Sequence, residues 1–570
     1  MKFSATFAVP AAIAACTYNV QAAGTNCRVF PGDISWPSTA SWSELNSTVD
    51  GKLISTVPIG TPCHGSAYDA AECEAIKASW QLVELHLDHP SSVMQPYFAN
   101  QSCDPFTAES QSCLLGNYVQ YAINVTSVSD IVAGVKFAVS NNVRFVIRNT
   151  GHDFLGRSTG AGALSVWTHY LKDIEFMHFS DQYYSGSAVK IGAGIQGYEI
   201  TAAAAAQGLV VVGGECPTVG LAGGYTQGGG HSALSTNFGL AADQTLSFEV
   251  VTAAGDLVTA SRTNNSDLYW ALSGGGGGNY GVVVSMTIKT YPDAPVGGAY
   301  LQIGAAYTTA DKFYQAIEEF HTLLPAMIDN GTMIIYFFGA AFFALQPVTA
   351  YNKTGDDVKA ILAPWIAVLD SLSVPFAVSY TSSATYAEHY ETYMGPLPYG
   401  NIGVAEYQFG SRLIPRSVVQ KNNPALQAVY RNLTEHGLLL GGVATDVSAP
   451  VKSGNISNAV LPAWRDALIH TYLTTPWNTS ASAWEQMLRD QDAMTNDWVP
   501  QIEAVTPGSG AYMNEANYRQ PDYQNAFFGA NYAKLLAVKE AWDPDSLFYA
   551  TAGVGSETWA IASDGRMCKA

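Results

Sequence analysis

Charge is scarce in this chain: Asp, Glu, Lys and Arg together supply 13% of its 570 residues. Basic residues are scarcer still, with 27 Lys and Arg against 47 Asp and Glu, for a formal charge of −20. A chain so acidic repels nucleic acid and anionic lipid, so neither is expected as a partner. No internal repeat or low-complexity tract is visible. No segment has the length and purity of a membrane span. One long uncharged stretch, Asn330 to Asn352, is broken by Asn, Gln, Gly and Pro, and "MIIYFFGAAFFALQPV" within it reads as two buried strands. Metal-ligand spacing is missing too. No second His or Cys lies near His152 or Cys216 at the intervals a zinc site uses, and no metal is expected.

Hydrophobic residues, at 48%, are plentiful. A chain of this length and composition buries ample core and exceeds the size at which one core stops growing, so two lobes are expected. The first 22 residues read as an export signal: Lys2, then apolar "FSATFAVPAAIAAC", then small residues around Ala22 and Ala23. N-x-[ST] sequons begin at Asn46, Asn100, Asn124, Asn264, Asn330, Asn352, Asn432, Asn455 and Asn478, as suits a secreted glycoprotein.

Removal of the signal takes Cys16 and leaves an odd number of cysteines. Cys63 with Cys73, and Cys103 with Cys113, lie at equal separations in loop-like sequence and are expected to pair locally; Cys27 and Cys568 then join the two ends. Cys216 is left over. It heads "GECPTVGLAGGYTQGGGHS", and Gly213 to Gly230 holds eight glycines. Glycine costs backbone entropy, and it is used where N–H groups must approach a ligand closely. Two further glycine-rich elements, "RNTGHDFLGRSTG" and "SGGGGGNYG", belong to the same part of the chain. Three such loops can cradle a diphosphate without many cations, so a phosphate-bearing cofactor is expected there. A lone His in a turn is ordinarily a surface residue; beside these loops His152 reads as functional.

Two short motifs mislead. "GRSTG" at Gly156 to Gly160 matches a hydrolase nucleophile elbow, but β-like "AGALSVW" follows where a helix is required. "GGGNYG" matches the dinucleotide fingerprint, but a strand, "VVVSMTI", follows it. A secreted serine hydrolase is therefore a remote alternative, and a Rossmann site is rejected. Along the chain, "SVSDIVAGVKFAVSNN" has helical period and "VRFVIR" strand character. "ADKFYQAIEEFHTLL" places Phe313, Ile317, Phe320 and Leu324 on one helix face, among strand-like "VPFAVSY" and "ALIHTYL". An α+β second lobe on an antiparallel sheet follows.

"RNTGHDFLGRSTGAG", "GGECPTVGLAGGYTQGGGHSALSTNFGLAADQ", "DLYWALSGGGGGNYGVV", "YMNEANY" and "FFGANYAKLLAVKEAWDPDSLF" resemble the berberine-bridge-enzyme-like branch of the vanillyl-alcohol-oxidase (PCMH-type) flavoproteins. Within it the chain is most similar to secreted fungal members of the isoamyl alcohol oxidase and 6-hydroxynicotine oxidase type. The resemblance implies an α+β fold: a two-subdomain PCMH-type FAD-binding domain with an inserted α+β substrate domain built on an antiparallel sheet. The expected boundaries are a disulfide-containing segment over residues 23–117, the FAD domain over 118–295, the substrate domain over 296–505 and a C-terminal segment over 506–570 that completes the FAD domain.

By motif position the resemblance implies FAD attached covalently through His152 and Cys216. It implies further flavin contacts from Asn149, Thr150, Gly151, Asp153, Ser158, Val219, Gly220, Gly223, Gly224, Gly228, Gly229, Asp243, Gly281, Asn514 and Asn531. Val219 holds a position where a small side chain goes with oxidases and Leu with dehydrogenases. The chain departs from the family pattern at His231, at Phe154 and at Glu515, where an aromatic or His often serves in proton transfer. A carboxylate is a ready proton acceptor near neutral pH. Glu515 is therefore expected as the base, Tyr512 as the residue that orients substrate, and His231 or Tyr518 as the alternative acceptor. The implied activity is a monomeric secreted oxidase that moves a hydride from an alcohol or amine carbon of a small molecule to the flavin, with O2 as acceptor. A dehydrogenase with another acceptor and a non-catalytic flavin binder are the alternatives.

Overall fold

The structure, a computed structural model, describes residues 26–448 and 457–570. The expected signal segment with Cys16, and the sequon at Asn455, lie outside the described residues. Among the described residues no helix is long and apolar enough to cross a membrane.

The first lobe holds two sheets. In the smaller, the strands Tyr121–Asn124 and Phe145–Arg148 flank Leu164–Trp167 in parallel, and Leu53–Ser55 adds an antiparallel edge. Parallel strands need a covered face. The helix Val128–Ser140, started by a capping box between Ser127 and Asp130, covers it with buried Ile131, Val135 and Ala138. The helix can lie that close because residue 134 is glycine: a Cβ there would come 3.0 Å from Ile123 and 3.1 Å from Val166. The second sheet is antiparallel, in the order Ile174–Ser180, Ser185–Gly192, Val282–Lys289, Thr245–Val251, Leu257–Ser261.

The segment before the first lobe has more helix than its Pro- and Ser-rich sequence suggests. Ser38 and Asp69 cap the ten-residue helices Thr39–Thr48 and Ala70–Ser79 by accepting from backbone N–H groups, which satisfies donors that loop sequence would leave to water. The disulfides Cys63–Cys73, Cys103–Cys113 and Cys27–Cys568 form as expected, and Cys216 is free.

The second lobe is a seven-stranded antiparallel sheet in the order Phe376–Ser383, Val296–Gly304, Phe342–Tyr351, Thr332–Phe338, Leu439–Ala444, Ala467–Pro476, Tyr407–Pro415. Helices Ala310–Asp329, Gly355–Leu372 and Arg416–Glu435 cover one face. Phe313, Ile317, Phe320 and Leu324 are at most 1% exposed, as the helical period requires. Strand alternation sorts the two faces. Ile334, Tyr336 and Phe338 point into the helix layer, whereas Met333, Ile335 and Val443 pack on Val210, Ala233 and Leu234 of the first lobe. The same alternation in Ala467–Pro476 sends Thr471 to Tyr430 beneath the helices, at 2.7 Å, and turns His470 and Tyr472 to the first lobe. Gly441 makes room for Tyr472: a Cβ there would fall 2.1 Å from its ring.

Candidate active site

His152 and Cys216 come from loops 64 residues apart in sequence and meet at one hydroxyl. Thr218 Oγ1 lies 2.7 Å from His152 Nε2 and 3.6 Å from Cys216 Sγ. Both side chains are partly exposed, so both can be reached by a ligand. Burial, and then the charge of Arg148, push the His152 pKa down to about 4, which keeps its imidazole neutral and nucleophilic. Burial raises the Cys216 thiol.

The turn that carries His152 depends on glycine. Gly151 has φ +92°, and a Cβ there would lie 2.5 Å from the guanidinium of Arg148. Asp153 then folds the loop back on itself, its carboxylate accepting from Leu155 N at 3.1 Å and Ser158 N at 2.8 Å. The glycines after Cys216 serve close approach in the same way. A Cβ at Gly220 or Gly223 would meet Asn149 at 2.5 or 3.0 Å, and one at Gly228 would meet Asn514 at 2.3 Å. The third glycine-rich loop joins them, with Gly276 N donating to Gln227 O at 2.7 Å and a Cβ at Gly277 falling 2.9 Å from Gly224 Cα. Around these loops Asn149 Oδ1, Thr226 Oγ1 and Gln227 Oε1 are buried with no protein partner among the described residues. Buried polar atoms without partners are costly, and a ligand rich in donors and acceptors would satisfy them. The residues present fit FAD.

The second constellation lies between the lobes. Glu515 is gripped at both oxygens: His231 Nε2 is 3.0 Å from Oε1, and His470 Nε2 is 2.8 Å from Oε2. On its other side His231 faces a second carboxylate, with Nδ1 3.2 Å from Glu215 Oε2. Burial works against a charged His231, yet Glu215 and Glu515 outweigh it and hold the pKa well above the ordinary imidazole value. Burial would raise the Glu515 pKa, but His231 and His470 together pull it well below the usual carboxylate range. His470, fully buried and with one carboxylate partner, is shifted down and stays neutral. The three donor-bearing side chains have ligand-type atoms within 4.8 Å of one another. Each Glu515 oxygen accepts from one imidazole and keeps a further lone pair, so the set forms a hydrogen-bonded relay. Tyr512, buried, packs edge-on against both imidazoles at 5.4 and 5.3 Å, and its hydroxyl accepts from Asn514 at 2.8 Å. Glu515 is the accessible member, with 28% of its side chain exposed against 8% for His231 and none for His470.

The structure thus brings together Glu515, Tyr512 and His231, and separately His152, Cys216, Asn149, Val219 and the glycines. Asn514 links the two groups, donating to Gly224 O at 2.9 Å as well as to Tyr512. Three other expected residues have protein contacts of their own. Asp243 is buried in an ion pair with Arg465 at 2.7 Å and accepts from Asn458; Asn531 donates to Ala459 and Val460 carbonyls; a Cβ on Gly281 would fall 2.5 Å from Val250 in the neighbouring strand. Sequence reasoning missed Thr218, Glu215 and His470. Their residue types were the available signals, a carboxylate in an apolar, glycine-rich run for Glu215 and an imidazole inside a strand for His470, but neither signal names a partner. Ser158 of the hydrolase-like motif sits in a loop that leads into the strand Leu164–Trp167, and Gly281 leads into Val282–Lys289, so neither motif has its required helix.

Residues 119–261 match the FAD binding domain model, and residues 511–555 match the model for berberine and berberine-like proteins. The chain is 51% identical over 569 residues to FAD-linked oxidoreductase ZEB1 of Gibberella zeae, covering all of both proteins. It is 43% identical to the VAO-type flavoprotein oxidase VAO615 of Thermothelomyces thermophilus, over 96% of each chain. A crystal structure of a VAO-type flavoprotein from Myceliophthora thermophila C1 superposes with a TM-score of 0.91 at 42% identity, spanning 95% of this chain and 100% of that one. With its glycine cradle, its His and Cys at one hydroxyl and its berberine-like C-terminal segment, the chain belongs to the berberine-bridge-enzyme-like FAD-linked oxidoreductases of the VAO/PCMH family.

Proposed function

We propose that this oxidoreductase is a secreted, monomeric glycoprotein oxidase that takes a hydride from an alcohol or amine carbon of a small molecule, on FAD held through both His152 and Cys216. The observation that carries the reading is the convergence of those two side chains on the Thr218 hydroxyl, 2.7 and 3.6 Å away, beside a carboxylate gripped by two imidazoles. When bound, the flavin accepts the hydride and passes its electrons to O2, giving hydrogen peroxide.

The protein's own residues manage orientation and the proton. Thr218 occupies Nε2 of His152, so Nδ1 would be the nitrogen free to hold FAD. Glu515 accepts the proton of the substrate hydroxyl, because it alone in its cluster combines a full negative charge with a partly exposed side chain. His231 and His470 fix the direction of its oxygens, and Tyr512 braces both imidazoles. Val219, partly exposed three residues after Cys216, is the small side chain that this reading pairs with access for O2. Six sequon asparagines, Asn100, Asn264, Asn330, Asn352, Asn432 and Asn478, are exposed and offer themselves to glycosylation.

The test is an anaerobic screen of primary and secondary alcohols, sugars, phenols and amines for bleaching of the flavin absorbance, followed by admission of air. Bleaching, and recovery within seconds with one equivalent of peroxide, is the expected result. Recovery only with an added dye would assign a dehydrogenase, and a flavin that no compound bleaches would assign a binding protein.

A further inference from the structure

Glu215 stands outside every role described so far, yet it is a carboxylate only 9% exposed, in the position before Cys216. A buried carboxylate is expensive unless a cation or several donors face it. The group that faces it is His231, at 3.2 Å. Its second oxygen, Oε1, has no partner among the described residues. From the other elements packed around His231 come Glu515, the neutral His470, the ring of Tyr512 and Tyr225, whose hydroxyl donates to His231 O at 2.7 Å. Tyr386 and Tyr390 lie near Glu215 and are pushed above the ordinary phenol range, first by burial, so they carry no charge near neutral pH. The charge count of the cluster is therefore set by four side chains: Glu215 and Glu515 negative, His231 positive, His470 neutral.

The arithmetic of that count matters for proton uptake. If His231 had Glu515 as its sole carboxylate partner, the two would neutralise one another, and Glu515 would be a poor acceptor. With Glu215 on the opposite nitrogen, the imidazolium is already balanced, and one negative charge remains uncompensated at the accessible end. We propose that Glu215 is a positioning residue that balances the charge of His231 through its Nδ1 side, leaving Glu515 as the net negative group that takes the substrate proton. The inference rests on Glu515 as acceptor, and it implies that the site favours neutral and cationic substrates over carboxylates and phosphates.

The test is stopped-flow flavin reduction across pH in the flavin-loaded enzyme, with covalent flavin content checked for each variant. Removing the charge in Glu215→Gln lets His231 neutralise Glu515 wherever His231 is protonated. Reduction should then fall by about 10-fold or more on the acid side and recover as pH rises through the imidazole range, near 6 to 8, while the unmodified enzyme stays flat. Glu215→Asp keeps the charge and should stay flat. The decisive variant is Glu215→Gln combined with His231→Gln, which removes both opposing charges and should regain acid-side rate over Glu215→Gln alone. A structural role for Glu215 predicts no such rescue. A Glu215→Gln enzyme slowed uniformly at all pH, or a double variant no faster than the single, overturns the inference. Normal reduction in Glu515→Gln would instead overturn the reading on which it rests.

Discussion

His231 and His470 do not touch one another as hydrogen-bond partners; they hold opposite oxygens of the same carboxylate, Glu515, at 3.0 and 2.8 Å. One imidazole has a second carboxylate behind it and is charged; the other has none and is neutral.

That asymmetry bears first on rate. Glu515→Gln keeps the shape of the acceptor and removes its charge, so anaerobic flavin reduction should slow by roughly 10² or more. Because Glu515 is held well below the usual carboxylate range, the native enzyme should show no acid limb between about pH 5 and pH 7.

It bears equally on stability. The folded pKa of Glu515 is depressed, so its contribution is present above the unfolded value near 4.3 and is lost as pH falls through the folded one. The folded pKa of His231 is raised, so its contribution is full below about 6.5 and is lost as pH rises through the folded value. Thermal melting should therefore show the largest gap between native protein and Glu515→Gln at about pH 5 to 6, with the gap narrowing on both sides.

The two proposed flavin linkages can be tested separately. After acid precipitation Cys216→Ala should remain yellow through His152, whereas Cys216→Ala with His152→Ala should release all its FAD. Thr218→Val, which removes the shared hydroxyl, should slow covalent incorporation while leaving the fold intact, as followed by the fluorescence of denatured protein in gels.

Val219→Leu should slow reoxidation by O2 and leave anaerobic reduction unchanged. Separate stopped-flow measurement of the two half-reactions checks this.

Lys539 is a structural counterpart. Buried, it contacts Asp543 and donates to the carbonyls of Asn279 at 2.7 Å and Phe548 at 2.6 Å, tying the C-terminal helix Tyr532–Trp542 to the first lobe. Lys539→Met strands Asp543 without its cation and should destabilise by about 3 kcal/mol, read as a lowered melting temperature.

Local signals in the chain were legible: the helical face of Ala310–Asp329, the two strands in "MIIYFFGAAFFALQPV", three disulfides and the odd Cys216. Each depends on neighbours in sequence or on cysteine counting. His470 was hidden, because "ALIHTYL" places an imidazole among apolar residues, and only the sheet's orientation shows which face it occupies. Glu215 was hidden for a related reason, since its partner lies across a folded glycine loop. Nothing near Asp243 in sequence announced its ion pair either, because Arg465 lies far along the chain.

The return of the C-terminal segment has a consequence in time. His152 and Cys216 leave the ribosome hundreds of residues before Glu515, and Cys568, which closes onto Cys27 across 541 residues, follows last. During synthesis His152 and Cys216 exist before Glu515 does. On the proposed reading, a nascent chain halted before residue 511 would own His152 and Cys216 but lack Glu515, so turnover waits until translation is nearly complete.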